Sequence, residues 1–116
     1  MKSTINKPWG SYTIIENGKD YVVKKLVIKT NEKTSLQSHD FRSEHWIVVQ
    51  GIAEVTINKE TKTIRANENI FIPTKIKHRI SNKHNEDLVI IEIWYGKTLD
   101  EKDIIRYDDK YNRITE

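Results

Sequence analysis

Residues 35–51 read SLQSHDFRSEHWIVVQG. Gln37 and His39 stand two apart, Glu44 follows five after His39, and Gly51 comes seven after Glu44. Residues two apart on an extended strand project from one face, so a strand through Gln37 and His39 aims both side chains at one point. Asp40 to Ser43, polar apart from Phe41, read as a turn. A second strand follows over 44–50, in which Glu44, Trp46, Val48 and Gln50 share a face. Two antiparallel strands that present a Gln, a His and a Glu at one end make three legs of a mixed nitrogen and oxygen metal site.

A fourth leg has to come from elsewhere, and the candidate is residues 72–82, IPTKIKHRISN. Pro73 ends an apolar run, a polar turn follows, and His78 opens a new strand with Asn82 four further on. Together the two stretches resemble the paired motifs of the cupin superfamily, His-x-His-x4-Glu-x6-Gly and Pro-x-Gly-x2-His-x3-Asn. Gln37 stands in the first His place and Lys75 in the Gly place; every other position is filled. Two matched motifs some 20 residues apart are far more specific than either alone.

Composition fits one soluble domain spanning 1–116. The chain has 116 residues, enough for one core and short of two. Hydrophobic residues make up 36% and charged residues 32%, which gives a modest core under a polar surface. No window approaches the ~18 apolar residues of a membrane span. The opening Met1-Lys2-Ser3-Thr4 lacks the apolar run of a signal peptide. With no Cys there is neither a disulfide framework nor a thiolate metal site, and a cytoplasmic home is the default. The net charge of +3, from 20 basic and 17 acidic residues, is small and spread out. It gives no support to nucleic-acid binding and leaves a small anion such as phosphate open.

The rest of the chain reads as a succession of short strands, with no internal repeat or linker. Strands are expected near 12–15 and 21–28, joined at Asn17-Gly18, a hairpin signal. Ala53, Val55 and Ile57 alternate with polar residues, the pattern of a half-buried strand. A turn at 58–60 leads to a returning strand at 63–66, then a short buried run at 70–72, a polar loop at 82–87 and a last strong strand at 88–94. Turn signals every 8–12 residues point to an antiparallel sandwich or barrel. Residues 99–105, with three acids ahead of Ile104 and Ile105, are expected to form a short helix.

The resemblance sharpens over nearly the whole chain, from Lys7 to Arg113. The chain is similar to the C-terminal phosphomannose isomerase domain of the bifunctional bacterial enzymes that also carry mannose-1-phosphate guanylyltransferase activity, the type II phosphomannose isomerases. Their opening Arg-Pro-Trp-Gly-x-Tyr is Lys7-Pro8-Trp9-Gly10-Ser11-Tyr12 here, and their core motif is met at every fixed place from Ser35 to Gly51. Their Pro-x4-His-Arg-x2-Asn is met by Pro73, His78, Arg79 and Asn82, and their tail returns from Asp103 to Arg113. Four departures stand against this. No guanylyltransferase part is present, so the resemblance carries isomerase chemistry alone. Thr30-Asn31 replaces a Pro-Gly, Trp94 replaces a Gln, and the segment from Thr98 to Asp103 is altered. Trp94 shares a strand face with Glu92, which puts the substrate in doubt before the metal.

The resemblance implies an all-β single-domain cupin, a double-stranded β-helix or jelly-roll barrel, with the helical tail added from the sequence pattern. It implies one divalent metal ion on Gln37, His39, Glu44 and His78, zinc favoured and manganese, iron, cobalt or nickel open. It also implies interconversion of mannose 6-phosphate and fructose 6-phosphate, in which a base moves one proton between C1 and C2. Arg42, in the turn between the ligand-bearing strands, matches a residue tied to isomerase activity. Lys24 and Glu92 are charged residues within apolar strands, which need a reason to point inward; a site at the barrel mouth supplies one. His45 alternates outward and His84 sits in a solvated loop. Trp9, Tyr12, Phe41 and Trp46 read as core or rim aromatics, and Arg106 and Arg113 as partners for nearby acids. Two other functions stay open: an isomerase or epimerase acting on another sugar phosphate or nucleotide sugar in surface-polysaccharide synthesis, and a non-catalytic sugar-binding cupin. A homodimer is expected, because the outward set His45, Ile47 and Val49 needs cover.

Overall fold

Strict alternation shapes the centre of the molecule. In β3 (Tyr21–Ile28), β10 (Leu88–Tyr95) and β5 (Ser43–Gln50) as far as Val48, every second residue is buried, as a sheet with one covered face requires. The computed structural model describes residues 3–113. Its eleven strands form two sheets. Six strands are ordered β1-β2-β3-β10-β5-β8, with β1 at Thr4–Lys7, β2 at Gly10–Asn17 and β8 at Asn69–Ile72. Five are ordered β11-β4-β9-β6-β7, with β4 at Leu36–Ser38, β6 at Ile52–Ile57, β7 at Glu60–Arg65, β9 at His78–Ser81 and β11 at Ile105–Asp108. All pairings between these strands are antiparallel.

Register places the core and the site at opposite ends of the inner face. Leu26, Ile90 and Val48 stand side by side across β3, β10 and β5. With Ile28, Leu88, Val55, Ile72 and Ile80 they make the apolar centre. One inward step along the same strands, the row becomes Lys24, Glu92 and Trp46; a further step makes it Val22, Trp94 and Glu44. Each of these six is buried. The alternation that builds the core thus also turns three charged side chains inward.

Two backbone positions explain parts of the motif pattern. Gly51 holds φ 87° in the β5–β6 turn, and a Cβ there would stand 3.0 Å from the Asp87 carbonyl oxygen. Lys75 fills the motif's Gly place at φ 72°, a left-handed conformation that Gly adopts at least cost.

Two expectations about the fold are corrected. No helix occurs among the described residues; 99–105 folds instead as tight turns. Asp103 N–H donates to the Asp100 carbonyl at 3.0 Å, and Lys102 N–H to the Asp100 carboxylate at 2.9 Å. The acids that suggested a helical first turn are consumed as turn acceptors and anchors, and Ile105 already belongs to β11. The jelly-roll barrel is also not formed. Neither sheet closes on itself, because the edge strands β1 and β8 of one sheet, and β11 and β7 of the other, do not pair with each other. The result is an all-β, two-sheet cupin-like fold. Strands β1 and β11 were not anticipated from sequence, and β7 begins at Glu60, earlier than the reading of 63–66.

Candidate metal centre

His39, directly after β4, and His78, which opens β9, come together because β4 and β9 pair with Gln37 opposite His78. Glu44 enters from β5 in the facing sheet. The His39 and His78 Nε2 atoms lie 3.2 Å apart, and the Glu44 carboxylate lies 3.1 Å from the first and 3.7 Å from the second. All three residues are buried.

Their hydrogen bonds fix the tautomers. His39 Nδ1 meets the Asp103 carbonyl at 2.7 Å and His78 Nδ1 meets the Ile76 carbonyl at 2.9 Å. A carbonyl only accepts, so each Nδ1 carries the proton and each Nε2 keeps its lone pair. Arg42 agrees: its Nη2, which can only donate, lies 3.3 Å from His39 Nε2. Two imidazole lone pairs and a carboxylate therefore converge on one buried point. Such a set repels itself unless a cation lies among it, and backbone carbonyls behind imidazole ligands are the usual outer support of a metal site. The residues fit one divalent metal ion. Burial pushes the His78 imidazole down, with the Glu44 charge opposing only in part, which favours the neutral ligand form. Burial alone would raise the Glu44 carboxyl, but it is held well below the usual carboxylate range, with the Arg42 guanidinium donating to it at 2.8 Å.

Gln37 lines, with Glu44 and His78, a cavity of about 140 Å³. Its amide nitrogen donates to the Ser35 hydroxyl at 3.1 Å and to the Ser35 carbonyl at 3.3 Å. With the nitrogen tied back, the amide oxygen is the atom Gln37 has left for a ligand role. Nitrogen and oxygen donors of this kind suit zinc, and equally manganese, iron, cobalt or nickel.

Arg42, Lys24 and Glu92 all line this cavity. Arg42 Nε donates to Glu44 at 2.8 Å. Glu92 accepts one indole N–H on each carboxylate oxygen, from Trp94 at 2.9 Å and from Trp46 at 3.0 Å. The Trp46 N–H is shared with Glu44 at 3.1 Å. Burial, then the Glu44 charge, pushes the Glu92 carboxyl well up, with Lys24 and Arg42 pulling the other way. Lys24, buried at its ladder position opposite Glu92, pairs instead with Glu101 at 2.6 Å.

His45 does point outward, to Asn69 at 2.9 Å. His84 is less solvated than its loop suggested and pairs with Glu54 at 3.0 Å. Arg79 bonds the Thr34 carbonyl and Asp108, and Arg113 bonds Asp109. Trp9 is in the core, Trp46 lines the site and Phe41 is exposed. Sequence reasoning missed the segment 100–103, which touches His39, Arg42 and Lys24 at once. Its three acids were the available signal.

Residues 1–109 match the family model described as mannose-6-phosphate isomerase C-terminal. The mannose-1-phosphate guanylyltransferase ManC of Salmonella typhimurium is 41% identical over 114 residues, which is 98% of this chain and 24% of that protein. The alginate biosynthesis protein AlgA of Pseudomonas aeruginosa is 40% identical over 112 residues, 97% of this chain and 23% of that protein. The chain thus spans about a quarter of the length of these curated relatives. Among solved structures, an RmlC-like cupin from Shewanella frigidimarina superposes with a TM-score of 0.76 at 14% identity, over 88% of this chain and 87% of that one; this likeness is one of fold.

Proposed function

The chain belongs to the mannose-6-phosphate isomerase C-terminal family of cupin-type domains, and from that premise we propose that it interconverts an aldose phosphate and a ketose phosphate, mannose 6-phosphate and fructose 6-phosphate first among them. The observation that carries this reading is the convergence of His39, Glu44 and His78 beside a buried Glu92 and the Arg42 guanidinium. His39, Glu44 and His78, with Gln37, would hold one divalent metal ion. Such an ion supplies Lewis-acid polarisation of a carbonyl or hydroxyl oxygen.

Isomerisation at C1 and C2 needs a group that takes a proton from one carbon and returns it to its neighbour. Glu92 suits that task, because burial and the Glu44 charge raise its proton affinity while two indole N–H groups fix its direction. Arg42 offers fixed N–H donors beside the cluster, where negative charge on an enediolate oxygen needs stabilising. Lys24 adds a second cation on the cavity wall.

Trp94 favours a second reading within the same chemistry, another sugar phosphate or nucleotide sugar as substrate. It fills part of the cavity wall where the resembling sequences carry Gln. One experiment addresses both readings. Metal-loaded protein is incubated in deuterated water with fructose 6-phosphate and with a panel of hexose and heptose phosphates. Deuterium entering the substrate carbon next to the carbonyl reports proton abstraction whatever the product. No incorporation with any member of the panel overturns the isomerase assignment.

A further inference from the structure

Lys24 is an unusual cation. Its side chain is 3% exposed, yet its ion-pair partner Glu101 is 54% exposed and stands on the solvent side of the cavity. Glu92, its neighbour across the ladder, does not take the ammonium. Trp94 explains why. Lys24 Nζ lies 3.6 Å from the centre of the Trp94 ring and Arg42 Cζ lies 3.4 Å from it. Two cations that close to one ring cannot share a face, so the indole stands between them as a partition. Arg42 is on the side of the metal cluster, bonded to Glu44 and His39. Lys24 is on the other side, against Tyr12 and Glu101.

We propose that Lys24 is the seat of the ligand's anionic group, a phosphate monoester or similar dianion, and that Glu101 is a carboxylate placeholder that this group displaces. Trp94 makes the assignment selective. With an indole between them, Lys24 and Arg42 cannot clasp one phosphate, so a ligand that uses both must carry its anion at one end and its reacting oxygens at the other. Lys7 and Arg106 line the same cavity and add positive field for an incoming anion. Glu101 is the group that can leave, being the more exposed member of its pair. The turn that carries it remains held through the Asp103 carboxylate, which accepts from the Asp40 and Phe41 N–H groups at 2.8 and 3.0 Å. The identity of the ligand rests on the sugar-phosphate reading; the place of its anion does not.

Inorganic phosphate is the probe, titrated into metal-loaded protein with the heat of binding recorded. Removing the placeholder in Glu101→Gln should tighten phosphate binding about 10-fold, and Lys24→Met should weaken it by at least that factor, since a charge-assisted hydrogen bond is roughly twice as strong as a neutral one. The double variant should bind no better than Lys24→Met alone, which shows that Glu101 acts through Lys24. Metal content should be unchanged throughout. Wild-type phosphate affinity in Lys24→Met, or no gain in Glu101→Gln, overturns the proposal. If burial of Met at position 24 impairs folding, Glu101→Gln, on an exposed turn, decides alone. Phosphate binding needs no turnover. Failure here therefore leaves the isomerase reading standing, and a failed deuterium exchange leaves the anion seat standing.

Discussion

Arg42 shows how much one residue in a turn can be asked to do. It bonds a candidate ligand carboxylate, a candidate ligand imidazole and the Asp100 carbonyl, while its guanidinium lies on Trp94. If it stabilises charge that grows only in the transition state, Arg42→Ala should lower turnover ~100-fold with metal content retained. A raised Michaelis constant with unaltered turnover would instead assign it to ground-state binding. His78→Ala should cut the metal content of purified protein sharply, measured by elemental analysis, since no Cys is present to replace the imidazole; full stoichiometry in both His39→Ala and His78→Ala would remove the site. The meeting of His39 and Glu44 was legible in the sequence because a strand-turn-strand fixes which residues can meet; His78, far along the chain, was placed beside them by the resemblance of residues 72–82 to the second cupin motif. Lys24 and Glu92 were legible as charges within apolar strands. The indole N–H pair that clamps Glu92 was not. A Trp reads as an apolar residue until its register beside a carboxylate is known.

At the scale of elements, the turn at 100–103 carries the most weight for its length. Its backbone carbonyls support His39 and Arg42, and its Asp103 side chain ties it to the loop after β4. Asp103→Ala removes two charge-assisted hydrogen bonds and should cost about 1–2 kcal/mol of stability. Because the Asp103 carbonyl orients His39, metal affinity should fall about 10-fold as well. Unchanged metal affinity in this variant would show that the His39 support survives without its anchor. Sequence pattern suggested a helix here because acids ahead of apolar residues resemble a helical first turn; tertiary anchoring overrode it. Strand β11 was equally hidden, since four residues paired with a three-residue partner carry too little periodicity to read. After β11, Asp109 caps the next turn, accepting from the Tyr111 and Arg113 N–H groups and from the Arg113 guanidinium. Burial opposes ionisation there, yet the Arg113 contacts win and hold the carboxyl below its ordinary value. A lowered folded pKa contributes stability above the unfolded value of about 3.9, lost as pH falls through the folded value. Thermal melts of wild type and Asp109→Asn should therefore differ near neutral pH and converge under acid; a constant gap would exclude the linkage.

For the whole molecule, the same alternation that sorts core from site leaves an apolar patch on the outer face of the six-stranded sheet, centred on β10 and β5. Across β3, β10, β5 and β8 one outward row is Val23, Ile93, His45 and Phe71, and the next is Lys25, Ile91, Ile47 and Asn69. Phe71 and Val49 are more than half exposed. The sequence had shown only the His45, Ile47 and Val49 edge of this face, because strand order, which sets Ile91, Ile93 and Phe71 beside them, cannot be read from periodicity. Apolar patches running over several strands mark association surfaces. A second copy is the occupant we predict, since a twofold axis through the face sets each row against its own symmetry mate and buries both patches with one contact. Light scattering at micromolar concentration should return twice the 13.7 kDa chain mass. Val49→Glu combined with Phe71→Glu should return the single mass with the circular dichroism of the sheet intact, because both side chains point away from the core. A wild-type protein that scatters as a monomer, or a double variant that stays paired, would place the contact elsewhere.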